Sequence, residues 1–384
     1  MTFVLAFVTA VVFIFCLIDA RKLPRFFASL MLLSGIVIFN VKESELQTIL
    51  NSLTLNLPLL TLMILVPLIS IPFRIGGYFE SILFFLKRLV EAPKKMFLSI
   101  STFLFFFGPI LNLGSIRVAN EMLKDLRLPP ILLAKSYLVG FSTVILWSPY
   151  FASVALVLYY LKIHVSDYIF LGLTLAVIQL VIGNVLYSIY YNRFERPQRL
   201  NFKQTAAVID EPIREEEKKK HVKTLTVLVA ILIVLMISLF SLEHVTKWPM
   251  MLLVSLMSIV FPIVFCTVTR NWQSGKEHIK AFFHRVGTSV NNEVVMFTSA
   301  GVFANSLSGT QFADTLNLFL TDLALRSFLL FCMTVVFIVV LLTFFGLHTS
   351  VVVTVLITQL DPVAIGTSPQ VLALLFMISG SISA

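Results

Sequence analysis

Charge is what this sequence has least of. Only 13% of its 384 residues are charged while 58% are hydrophobic, against roughly 25% charged in an ordinary soluble domain. That balance excludes a soluble globular protein. Cysteine is scarce too. Cys16, Cys266 and Cys332 lie in apolar runs without metal-ligand spacing, so they read as packing residues that form no disulfide. Carboxylates are nearly missing from the apolar runs, and there is no Gly-x-Gly-Asp, His-Glu-x-x-His or Walker segment. Intramembrane proteolysis and ATP-driven pumping are thereby set aside, and the chain is not read as an enzyme. No basic region precedes the first apolar run and no small-residue cleavage site follows it, so the N-terminus reads as a first helix rather than a cleaved signal.

What the sequence has is phenylalanine, 36 of them, and long apolar runs such as 2–18, 57–72 and 327–345. A helix needs about 20 mainly apolar residues to cross ~30 Å of hydrocarbon. The runs recur through the whole chain, which predicts an all-α polytopic membrane protein with about 11 membrane segments. They fall near 3–19, 27–41, 55–73, 97–115, 130–160, 168–191, 225–242, 248–268, 289–309, 326–345 and 369–384. Residues 74–95 mix Phe and Leu with Arg74, Glu80, Lys87, Arg88, Lys94 and Lys95, as a helix lying in the interface does. Residues 108–127 and 346–361 are apolar but interrupted by polar and Gly residues, the pattern of a re-entrant hairpin.

The formal charge of +9 would point to nucleic acid in a soluble protein; here it maps cytoplasmic loops instead, and no nucleic-acid partner is expected. Of the 29 basic residues, all but Lys42, Lys162, Lys247 and Arg326 fall on one side of the span scheme. The positive-inside rule makes that side cytoplasmic and the N-terminus external, in what reads as the plasma (inner) membrane. Segment 192–224 carries Arg214-Glu215-Glu216-Glu217-Lys218-Lys219-Lys220. Glu preceding Lys by three or four positions supports a solvated helix, and its basic end can touch anionic lipid. It reads as a cytoplasmic linker between two halves, 1–191 and 225–384.

The halves carry weak internal similarity. Phe106-Phe107-Gly108 recurs as Phe344-Phe345-Gly346, an offset of 238. Pro129-Pro130-Ile131-Leu132 faces Pro369-Gln370-Val371-Leu372, and Gly140-Phe141-Ser142 faces Gly380-Ser381. In the span scheme the halves run antiparallel. Their hairpins agree, one flanked by Lys124 and Arg127, the other by Asp314, Asp322 and Asp361. Inverted repeats with broken helices are a secondary-transporter architecture. The offset also places counterparts of Trp147-Ser148-Pro149 and of helix 168–191 beyond Ala384. The expectation is therefore a fragment of a protein about 50 residues longer.

Two inverted repeats, each with an interfacial arm, a re-entrant hairpin and a broken helix, resemble the ion transporter superfamily. That group includes divalent anion:sodium symporters, arsenite permease-like proteins and the large subunits of periplasmic-binding-protein-dependent dicarboxylate transporters. The resemblance covers most of the chain as architecture. Where sodium-dependent dicarboxylate members carry Ser-Asn-Thr at the hairpin tips, this chain reads Asn112-Leu113-Gly114-Ser115 and Leu347-His348-Thr349-Ser350. The resemblance implies a secondary active transporter working by alternating access.

Irregular backbone survives in hydrocarbon only where protein or a water-filled cavity surrounds it. Free N–H groups at a hairpin tip favour an anion, and broken-helix carbonyls favour a cation. The candidates are Asn112, Gly114, Ser115 and Asn120 at the first hairpin, with Ser142, Thr143 and Ser148 where Pro149 breaks the long helix. In the second half they are His348, Thr349, Ser350 and Thr354, with Ser379, Gly380, Ser381 and Ser383 in the last helix. The competing reading for each Ser and Thr is ordinary helix packing. Glu293 reads as interfacial, and Arg117 as either snorkelling or meeting the substrate. No cofactor is expected beyond a coupling Na⁺ or H⁺, and no metal beyond Na⁺ at the tips. The partners expected are membrane lipid, a small anionic solute and a second copy of the chain as a homodimer. A cation/proton antiporter, an oxyanion efflux permease, a channel and a non-transporting scaffold are the alternatives.

Overall fold

Prolines set where several helices begin and break. Pro93, Pro130 and Pro369 each occupy the first position of a helix, where the missing N–H would be unpaired anyway and φ is already helical. The computed structural model describes residues 2–89, 92–111, 114–126, 128–195 and 215–383, and among these there is no strand. The first half comprises α1 (Thr2–Asp19), α2 (Lys22–Val41), α3 (Leu46–Thr54), α4 (Leu57–Leu65), a 3-10 turn Val66–Ile69, α5 (Ser70–Ile75) and α6 (Tyr78–Leu86). It continues with α7 (Pro93–Leu111), α8 (Gly114–Leu123), α9 (Pro130–Trp147), α10 (Ala152–Tyr160) and α11 (Val165–Tyr190). After the linker come α12 (Glu215–Thr246), α13 (Met250–Thr269), α14 (Trp272–Ser289), α15 (Asn291–Leu307) and α16 (Gln311–Arg326). Then follow α17 (Phe328–Phe344), α18 (Thr349–Ile357) and α19 (Pro369–Ser383).

Among the described residues, seven helical stretches are long and apolar enough to cross a membrane. They are Lys22–Val41, Leu46–Ile75, Pro93–Leu111, Pro130–Tyr160, Val165–Arg193, Glu215–Thr246 and Met250–Thr269; α17, α19 and most of α1 are shorter apolar helices. The protein is an all-α integral membrane protein. Many of its large apolar side chains are exposed. On α11 the buried Tyr168, Gly172, Ala176 and Tyr187 form one stripe, while Phe170, Val181, Ile182 and Leu186 face outward. α12 has 32 residues and buries only Leu228, Leu235, Leu239 and Glu243, again one stripe. Its first six residues are all exposed, and it is tied down at His221, whose Nδ1 lies 3.0 Å from Ser81 Oγ on α6.

Helix boundaries differ from the sequence expectation in three places. The helix expected over 97–115 is α7, ending at Leu111, and the one expected over 55–73 belongs to a stretch that starts at Leu46. Residues 272–289, left between the expected spans 248–268 and 289–309, form α14; its Ile279, Phe282 and Val286, at helical spacing, pack on Leu68 and Ile71. Of the linker, residues 196–214 lie outside the described residues, and 215–224 begin α12.

α2 and α15 lie side by side in the same direction. The Arg21 N–H donates to Asn292 Oδ1 at 2.9 Å at one end, and Lys42 Nζ donates to the carbonyls of Ser306 and Ser308 at the other. A Cβ on Gly35 would stand 3.0 Å from Val302 and 3.3 Å from the Phe303 backbone, the close approach small residues permit between membrane helices. α13 packs along α4, the 3-10 turn and α5, while α9 packs on α7 and α19 on α17. Lys94 Nζ lies 5.9 Å from the Tyr191 ring and Lys135 Nζ lies 3.0 Å from the Tyr190 ring. Both α7 and α9 thus start beside the end of α11, so the chain between them turns back on itself.

At the start of α11, the buried Glu243 carboxylate of α12 accepts the Val165 N–H at 2.9 Å, with His164 Nδ1 at 3.8 Å. It satisfies a first-turn donor and places negative charge at a helix N-terminus. Glu243→Leu leaves that N–H buried and unpaired, at an expected cost of about 1–3 kcal/mol. Thermal unfolding in detergent checks this, with Glu243→Gln restoring most of the loss.

Candidate functional site

The centre of the protein is the interruption between α9 and α10. Residues 141–152 are all buried. Pro149 has no N–H to give the Ile145 carbonyl, so the helix cannot continue through it. The Leu146 carbonyl, freed by the same break, accepts the Tyr168 hydroxyl at 2.7 Å, and the Ser148 carbonyl accepts the Phe151 N–H at 3.0 Å. Two polar side-chain atoms at the break, Ser148 Oγ and Trp147 Nε1, are buried with no hydrogen-bond partner among the described residues. A polar group left unpaired in an apolar interior costs free energy, and here two of them fall on consecutive residues at the break.

The N-terminal end of α18 comes to this break. His348 is its N-cap, with Nδ1 accepting the Ser350 N–H at 3.2 Å. Only the tautomer protonated on Nε2 can accept there. The ring packs edge-on to Phe297 at 5.4 Å, and the residue is exposed. The Ser350 hydroxyl lies 3.2 Å from that of Ser153. Ser153 and Ser350 each occupy the second position of a nine-residue helix, α10 and α18. The N-termini of two short helices from opposite halves therefore meet, and each presents first-turn N–H groups and roughly half a positive charge.

Behind this junction a second polar cluster joins the halves. Gln179 Nε2 donates to Ser142 Oγ at 2.9 Å and lies 3.0 Å from Ser381 Oγ, which is 3.3 Å from Gln179 Oε1. A Cβ on Gly380 would stand 3.3 Å from Ile145 and 3.8 Å from Thr349, so α19 fills the space between α9 and the start of α18. A third cluster lies on the other side. Asn56, in the turn between α3 and α4, donates to the Phe297 carbonyl at 2.8 Å and accepts from the Tyr160 hydroxyl at 2.8 Å.

Of the residues expected from sequence, Ser142, Ser381, Thr349 and Ser350 are thus gathered around the break, with Ser148 and His348 at its edge. Thr143 is buried and its hydroxyl returns to the Gly140 carbonyl at 2.7 Å. Thr354 likewise bonds the Ser350 carbonyl, at 2.8 Å. Gly114 opens α8 with no described atom within 4 Å of where a Cβ would stand; Ser115 is buried in α8, and Asn120 is exposed on it. Asn112 and Arg127 lie outside the described residues. Sequence reasoning missed Gln179, Ser153, Asn56 and Tyr160. Gln179 had a signal: with Gly172, Ala176 and Gly183 it forms a small and polar stripe down an otherwise aliphatic helix. Among the described residues no group of three His, Cys, Asp or Glu side chains is placed to hold a metal. No protein-family model and no curated protein matches the chain.

Proposed function

We propose that this protein is a secondary active transporter that moves a small anionic solute by alternating access, coupled to a Na⁺ or H⁺ gradient. The observation that carries the reading is the meeting of the α10 and α18 N-termini, with Ser153 and Ser350 3.2 Å apart, beside an unpartnered Ser148 and an accessible His348. Two converging helix N-termini favour negative charge, and discontinuous helices aimed at an anionic group are a transporter device.

The packing supports an inverted repeat. α2 on α15 corresponds to α13 on α4, and α7 on α9 to α17 on α19. The charge map is supported by side chains it placed on one face, Lys94 and Lys135, which both stand by the end of α11. In this reading residues 1–191 and 225–384 are the two repeats and the linker is cytoplasmic in the plasma membrane. The return of the chain between α7 and α9 is a re-entrant hairpin, with Gly114 near its tip.

The test is uptake into proteoliposomes under imposed Na⁺ and pH gradients, across small organic and inorganic anions. Saturable uptake with counterflow is expected. Conductance without counterflow would make the protein a channel, and neither activity across the panel would leave a scaffold.

A further inference from the structure

We propose that the groove between α6, α7 and the base of α12 binds one anionic phospholipid, an acyl chain lying in the groove and the headgroup at its basic mouth. The groove has a volume of about 410 Å³. Ile82, Phe85 and Leu86 line one side, Leu98 and Thr102 the other, with Leu225 of α12 closing it. Leu98 is 49% exposed, so the slot opens sideways, where a bilayer supplies hydrocarbon.

Its mouth is charged. Lys95, Leu98, Ser99 and Thr102 recur at spacings of three and four, which puts them on one face of α7. Lys95 is the exposed member nearest the helix start. From Lys95 to Thr102 the helix rises about 10 Å at 1.5 Å per residue, within the ~15 Å that one leaflet of a ~30 Å hydrocarbon core provides. The groove therefore starts at headgroup depth and ends inside the same leaflet. Arg88 is fixed over the Phe84 ring at 3.8 Å, and that ring stacks on His221 at 4.1 Å. Lys87 is exposed, and Lys94 stands beside Tyr191. Acidic neighbours do not cancel this charge. Residues 78–95 hold four basic side chains against Glu80 and Glu91, and 215–223 hold four lysines against three glutamates. Basic residues at a membrane surface attract anionic lipid by roughly 1 kcal/mol each, and a zwitterionic headgroup gains no such net attraction. The proposal rests on residues 87–89 and 92–95 lying at a membrane–water interface and is independent of transport.

The full-length protein, delipidated in detergent and titrated with phosphatidylglycerol or phosphatidylcholine, is read by native mass spectrometry. One phosphatidylglycerol is expected to bind with at least fivefold preference. Lys95→Gln should weaken it about fivefold, the equivalent of roughly 1 kcal/mol, and leave phosphatidylcholine unchanged. Leu98→Trp, which fills the open side of the slot, should weaken both lipids. Equal binding of the two lipids by the unaltered protein overturns the proposal, as does a Lys95→Gln variant that binds phosphatidylglycerol undiminished. Melting curves show whether Leu98→Trp is folded; if it is not, the Lys95→Gln comparison decides alone.

Discussion

Gly172→Val is expected to destabilise the protein by about 3 kcal/mol or more, the sum of overpacking and a lost buried hydrogen bond. A Cβ at this position would stand 2.5 Å from the Leu146 carbonyl oxygen and 2.8 Å from the Tyr168 ring. The first of these is backbone at the end of α9, which has no rotamer to retreat into. Moving α11 away would also part the Tyr168 hydroxyl from the Leu146 carbonyl, an acceptor that the Pro149 break has already deprived of a helical partner. Thermal unfolding in detergent measures the loss. Gly114→Ala is the contrast: no described atom lies within 4 Å of its Cβ position, so stability should hold. If Gly172→Val melts with the unaltered protein, the close approach of α11 to the break is wrong.

His348→Ala and His348→Asn are expected to part company in stability and agree in transport. Alanine removes the acceptor for the Ser350 N–H, and losing an N-cap costs about 0.5–2 kcal/mol. Asparagine is itself among the best N-caps, so that variant should melt close to the unaltered protein. Its side chain is shorter than imidazole and has no counterpart of Nε2 at that reach. Both variants are expected to lose at least tenfold in initial uptake rate, about 1.4 kcal/mol at each factor of ten. Full uptake by His348→Asn would reduce the histidine to a cap and take it out of the site.

The parts of the fold that were legible in the sequence are those governed by composition and by proline. Apolar runs gave the helical class directly, and Trp147-Ser148-Pro149 announced a break because no neighbouring residue can replace a missing N–H. The boundaries at Leu46 and Leu111 were less legible, since polar Gln47 and Asn51 face outward on α3 and only packing makes that turn part of a longer stretch. α14 escaped because its apolar positions are only a stripe among charges. For the site, hydroxyl-rich termini pointed to Ser142, Ser350 and Ser381. Their partners did not emerge, because Gln179 and Ser153 become informative only when another helix is brought to them. A hydrogen bond between residues about 200 positions apart, such as Ser381 to Gln179, leaves no local pattern to read.

α12 also has a use outside the bilayer. At 1.5 Å per residue its 32 residues reach about 48 Å, and a hydrocarbon core takes up about 30 Å of that. Glu215–Lys220, all exposed and beyond the anchoring contact of His221 on Ser81, form a stalk that projects past that contact. An epitope grafted at Glu216 would be presented to an antibody without disturbing any buried contact. Because the stalk leaves the membrane on one side only, accessibility of that epitope in sealed vesicles of known orientation gives the sidedness of the whole molecule.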